Sequence, residues 1–157
     1  MGIIVSSFRG CGKTYLKNTY GDKIVIKESI PSGDVDDTYV QNTLDLAAES
    51  DIVFVPSTKE IRNILNEHNV DYDLFYPSKN RRLEFVENQA RKRVKMQSIQ
   101  EMDNNFDKWI DEIESDESEN CYKHKLENRN EFIANDSTIM NYITSVQESQ
   151  NKKKIND

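Results

Sequence analysis

The sequence predicts an α/β fold with a mostly parallel sheet and helices on both faces. Two observations carry this. Short β-branched or aromatic runs alternate with helical patterns four times. Each run ends in loop-forming or capping residues, as strands joined by helical crossovers do. The chain has 157 residues, which fits one domain with a real core.

Residues 3–6 form the first expected strand, because three β-branched residues in a row suit a strand covered on both faces. GCGKT follows, then a short helix over 14–20 that Gly21 stops. KIVIK (23–27) reads as the second strand, and ESIPSGDVDD as a loop. Helical spacing over 39–48 places Val40, Leu44, Leu46 and Ala47 inside. DIVFVPS (51–57) is the third strand. Ser57 and Glu60 match a capping box that starts a helix with Ile61, Ile64 and Leu65 on one face. YDLFYP (72–77) is the fourth strand, with Ser78 as a cap. Residues 79–94 read as one basic helix and 97–115 as an acidic one. Residues 122–126 and 131–133 are weak strand candidates. Asp136 caps a last helix over 137–147, and 148–157 is expected as a flexible tail.

The net charge of −7 disfavours nucleic acid as a partner and leaves room for a small anion in a locally positive pocket. No apolar run reaches the length of a membrane span, and the N-terminus does not resemble a signal peptide. Two cysteines, Cys11 and Cys121, suggest no disulfide framework. A soluble cytoplasmic protein is the expectation, its oligomeric state left open with a homodimer as one option.

GCGKT departs from G-x-x-x-x-G-K-[ST] at one position, where Ser7 replaces the first glycine. Its setting after a β-branched strand and before a helix is the one a phosphate loop requires. Arg9, Gly10, Cys11 and Gly12 would surround the phosphates with backbone N–H groups. Lys13 would reach the outer phosphates of ATP, and Thr14 would ligate Mg²⁺. Cys11, at a helix N-terminus inside such a loop, would be a reactive thiol. A Walker B acid after the third strand is missing, since Pro56 and Ser57 stand there.

SFRGCGKTYL, KIVIKES, DIVFVPSTKEIRNIL and DLFYPSKNRRLEFVENQARKR together resemble small bacteriophage-type P-loop nucleotide kinases, relatives of nucleoside monophosphate kinases. The resemblance runs over about residues 3–133. It implies a P-loop NTPase-like three-layer sandwich over 1–147, with an α-helical lid region near 79–115. It also implies transfer of the ATP γ-phosphoryl group to a nucleotide, most simply a (deoxy)nucleoside monophosphate, in the host cytoplasm if the chain is phage-encoded. Arg91 and Arg93 fall where lid arginines would lie; on the residues alone they equally suit a solvated basic face. Glu28, ending the second strand, would orient the acceptor, or is an ordinary strand-end glutamate. Asp34, Asp36 and Asp37 read as solvated loop acids, Trp109 as a packing anchor. Three other readings stay open: a P-loop kinase for a hydroxymethylated pyrimidine in a nucleotide or in DNA, a nucleotide-sequestering protein without turnover, and an interaction protein acting through the long charged helices between residues 79 and 115.

Overall fold

The computed structural model describes residues 2–156. Its centre is β1 (Ile3–Ser7), where the β-branched run lies; Ile4, Val5 and Ser6 are buried. This strand pairs in parallel with β3 (Ile52–Pro56) on one side and β4 (Tyr72–Pro77) on the other. A short β2 (Ile26–Glu28) extends the sheet beyond β3, and β5 (Cys121–Leu126) extends it beyond β4. The order is β2-β3-β1-β4-β5, with every pair parallel.

Six helices among the described residues cover this sheet: α1 (Lys13–Tyr20), α2 (Asp37–Glu49), α3 (Lys59–Glu67), α4 (Arg82–Arg91), α5 (Met96–Glu114) and α6 (Ser137–Asn156). The right-handed rule for parallel crossovers puts α1 on one face and α2, α3 and the α4–α5 pair on the other. Contacts agree: α2 meets α3, whereas α1 and α6 both meet the 3₁₀ turn Ile133–Asn135. The result is a three-layer α/β sandwich with a core on each side of the sheet. No helix among the described residues is long and apolar enough to cross a membrane.

The α5 segment, expected to belong to a lid, packs as a core helix. Its Met102, Phe106, Ile110 and Ile113 are buried. Phe106 meets Phe8 edge-on at 5.4 Å and Phe85 of α4 at 5.9 Å, the geometry aromatic pairs prefer.

Several local expectations change, each for a visible reason. The second strand starts three residues late because Lys23 and Ile24 still donate to the Tyr20 carbonyl at the end of α1. The capping box does not form. Thr58 is the N-cap of α3 without a side-chain bond, while the Ser57 carbonyl accepts from Arg62 Nε at 3.1 Å. Residues 79–94 split into a 3₁₀ turn (Lys79–Arg81) and α4. The buried Arg81 grips Glu84 and the carbonyls of Leu126 and Glu131, which fixes the break. Arg93, at φ 57°, then turns the chain toward α5. Residues 131–133 are not a strand, since Ile133 N–H donates sideways to the Cys11 carbonyl. The expected tail is helical: α6 runs to Asn156, with no Gly or Pro after 136 to stop it. Asp136 caps it as expected, accepting from Ile139 N–H at 3.1 Å.

A second polar anchor joins β4, β5 and the start of α6. His124 Nε2 lies 2.8 Å from Asp73, its Nδ1 lies 3.3 Å from Asp136, and the ring stacks on Phe75. The Asp73 hydrogen bond, joined by the negative charge of both aspartates and opposed by burial, lifts the His124 pKa above its ordinary 6.5. A folded-state pKa above the unfolded one stabilises the fold at acid pH, and this contribution is lost as pH rises through the folded value. The urea midpoint of the wild type should therefore exceed that of His124→Gln most at about pH 6. The gap should narrow steadily toward pH 8. A gap independent of pH would mean that the ring contributes packing alone.

Candidate functional site

All five strands deliver their carboxyl ends to one edge of the sheet, where open α/β sheets bind ligands. At the end of β1 the ladder continues for one more bond, Phe8 N–H to the Phe75 carbonyl at 2.9 Å. The chain then turns through Gly10 (φ 93°) and Gly12 (φ 100°), both left-handed conformations that side chains resist. Space adds to the demand. A Cβ on Gly12 would sit 3.1 Å from that of Phe132, and one on Gly10 would sit 3.2 Å from the Phe85 ring.

Helix α1 follows at once, with Gly12 as its N-cap, no side-chain acceptor and no acid in its first turn. Its leading N–H groups thus lack the protein partner that Asp36 gives α2 through Thr38 and Tyr39. Two turn glycines before an uncapped helix start form a donor set that fits phosphate. For Mg²⁺ the fit is narrower, because the exposed Thr14 hydroxyl is the loop's sole oxygen ligand from a side chain.

Lys13 leaves the first turn of α1 toward β2. Its Nζ lies 2.6 Å from one oxygen of Glu28, and Lys17 Nζ lies 2.8 Å from the other. The hydrogen bonds from Lys13 and then Lys17 hold the Glu28 carboxyl below the usual range, against a small desolvation effect. Lys13 and Glu28 also line a cavity of about 570 Å³ between the ends of β1 and β3 and the side of α5. Its walls hold apolar surface from Phe8, Phe54, Pro56, Trp109 and Ile113. Five cationic side chains (Arg9, Lys13, Lys59, Arg62, Lys108) face three carboxylates (Glu28, Glu101, Glu112) around it. A chain of net charge −7 therefore has a cavity whose lining carries a small positive excess.

The expected site residues divide into two groups. Arg9, Lys13 and Glu28 meet at this cavity, and Gly10, Cys11, Gly12 and Thr14 form the adjoining loop. Arg9 lies over Trp109 at 5.7 Å and donates to the Ser98 carbonyl at 3.4 Å. Arg91 and Arg93 do not line the cavity. Both are exposed, and Arg91 leans on its own helix, toward Glu87 and Asn88. The expected reactivity of Cys11 is overturned: the thiol is buried, points at the Phe75 carbonyl, and is pushed far above its ordinary pKa by desolvation.

Lys17, Lys59, Arg62 and Lys108 were not foreseen. Lys17 had a readable signal, since it stands one helical turn after Lys13 and so shares its face. Arg62 had none. It is buried beside the cavity through a 2.9 Å pair with Asp116, a partner 54 residues away. Trp109 is both packing anchor and cavity wall, edge-on to Phe8 at 6.2 Å. No protein-family model matches this chain, and no curated protein or solved structure matches it either.

The buried thiols give a direct check on the loop. With a thiol-reactive dye at neutral pH, both Cys11 and Cys121 should be silent in the native protein and titrate only in denaturant. Rapid native labelling of Cys11 would mean that the loop opens.

Proposed function

We propose that this protein is a P-loop nucleotide kinase that transfers the γ-phosphoryl group of ATP to a (deoxy)nucleoside monophosphate. One observation carries the reading: Lys13 stands at the junction of the uncapped glycine turn and the cavity, so a single ammonium can reach groups in both. The turn would hold the donor phosphates through backbone N–H groups from Gly10 to Thr14. The cavity would hold the acceptor, with apolar surface from Phe54 and Trp109 for a base and the exposed Lys59 and Lys108 nearby for a phosphate.

Transfer needs alignment and charge neutralisation more than covalent help. An acceptor phosphate oxygen attacks the γ-phosphorus, and the bond from that phosphorus to the bridging oxygen breaks. Lys13 stabilises charge on the group in transit. A phosphate nucleophile is already ionised at neutral pH, so Glu28 positions rather than deprotonates. Mg²⁺, brought with the nucleotide, would supply further neutralisation of the phosphates, with Thr14 as its protein ligand.

A second reading, nucleotide sequestration without turnover, is favoured by two features. The end of β3 offers Pro56 and Ser57 where a Walker B acid would stand, and Ser7 occupies the first glycine position.

ADP production from ATP and Mg²⁺ over a panel of nucleoside monophosphates separates the two. One acceptor should support turnover, and Lys13→Ala should lower it about 10²–10³-fold, the usual cost of removing one preorganised stabilising group. Lys13-dependent ATP binding with no ADP formed on any acceptor would select sequestration.

A further inference from the structure

Glu28 spends both carboxylate oxygens on lysines of one helix face, and those lysines are not equivalent. Lys13 lines the cavity; Lys17, one turn further along α1, does not. Each ammonium takes a different oxygen, at 2.6 and 2.8 Å. Glu28 is about a quarter exposed and the lysines a little over a third, so the cluster is open enough to exchange partners. The carboxylate neutralises the ammonium best placed to meet an anion.

We propose that Glu28 is an intramolecular competitor for phosphate and that Lys17 is the positioning residue that makes the exchange possible. This rests on the phosphate-binding reading of the loop. In the resting state Glu28 masks Lys13. When a polyphosphate enters the turn, Lys13 moves from carboxylate to phosphate, and Lys17 keeps Glu28 paired from behind. The carboxylate then stays at the cavity wall, instead of following Lys13 or being left as an uncompensated charge. Without Lys17 the same carboxylate would have Lys13 as its single partner and would release it less readily. The exchange involves no covalent step.

Inorganic tripolyphosphate and Mg²⁺·ATP serve as probes, with dissociation constants from calorimetry on the full chain and folding checked by circular dichroism. A partly exposed ion pair is worth up to about 1 kcal/mol, or about fivefold in affinity. Glu28→Gln should therefore bind both probes about two- to fivefold more tightly than the wild type. Glu49→Gln, the same charge change on the exposed end of α2, should leave them nearly unaltered. Lys17→Met should weaken binding about two- to fivefold in the wild-type background and have no effect in the Glu28→Gln background. That lost effect is the signature of a residue acting through Glu28.

Equal affinities for wild type and Glu28→Gln, with binding still abolished by Lys13→Ala, would overturn the competitor and leave the phosphate loop standing. A Lys17→Met loss that persists in the Glu28→Gln background would make Lys17 a direct phosphate ligand and overturn its positioning role. No binding of either probe to any folded variant would overturn the phosphate loop itself, and the competitor with it.

Discussion

The double pairing of β1 is the constraint from which the rest follows. A strand hydrogen-bonded on both sides and covered on both faces has one free exit, at the shared carboxyl edge of the sheet. The chain must turn there without leaving buried amides unpaired. Phe8 meets the need by donating to Phe75, and its ring descends between Phe85, Phe106 and Trp109. Arg81, stacked on Phe85 and Phe132, and the Ile133 bond to the Cys11 carbonyl brace the loop from beneath and beside. The turn is thus held by packing outside itself.

Charge is arranged as carefully as the backbone. The two most buried arginines, Arg62 and Arg81, are each matched to a carboxylate and to main-chain carbonyls, as burial of a guanidinium requires. Their work is structural: Arg62 ties α3 to the end of α5, and Arg81 ties the start of α4 to the segment after β5. Near the cavity, the cations with more freedom are the half-exposed Lys13 and Lys17 and the exposed Lys59, Lys108 and Arg9. They cluster at the edge of the sheet while acids dominate elsewhere, which gives an acidic protein a local attraction for anions.

Local pattern revealed much of this and left the remainder hidden. The strands β1, β3 and β4 were legible because buried parallel strands are continuous apolar runs, and Asp136 was legible as a cap. GCGKT marked the loop because glycine alone tolerates φ near +100° beside Phe132. The capping box at Ser57 misled, because sequence could not show Arg62 claiming the Ser57 carbonyl on its way to Asp116. Arg91 and Arg93 misled for a similar reason. A basic helix end looks alike whether it faces a site or solvent, and the side of α4 that packs inward is set by Phe85 and Gln89. The Cys11 thiol shows the limit of motif reasoning: a helix N-terminus activates a cysteine only if water reaches it.

The position of Glu28 ties the edge strand to the site. β2 is three residues long, and short edge strands slip easily unless something fixes their register. Here Glu28 pairs opposite Phe54, which pairs opposite Val5 in the central strand. A slip of one residue would turn the carboxylate to the other face, away from α1. The lock is the next residue. Ser29 N–H donates to the Phe54 carbonyl at 2.8 Å, its hydroxyl shares a 2.7 Å bond with Thr43, and its carbonyl accepts from the Tyr39 hydroxyl at 2.8 Å. All three side chains are buried, so breaking the set would strand polar groups away from water. Helix α2 contributes nothing to the cavity wall, yet through Tyr39 and Thr43 it holds the strand end that presents Glu28 to Lys13 and Lys17. The smallest strand in the sheet is thereby pinned at the one point where its register decides which face carries the charge.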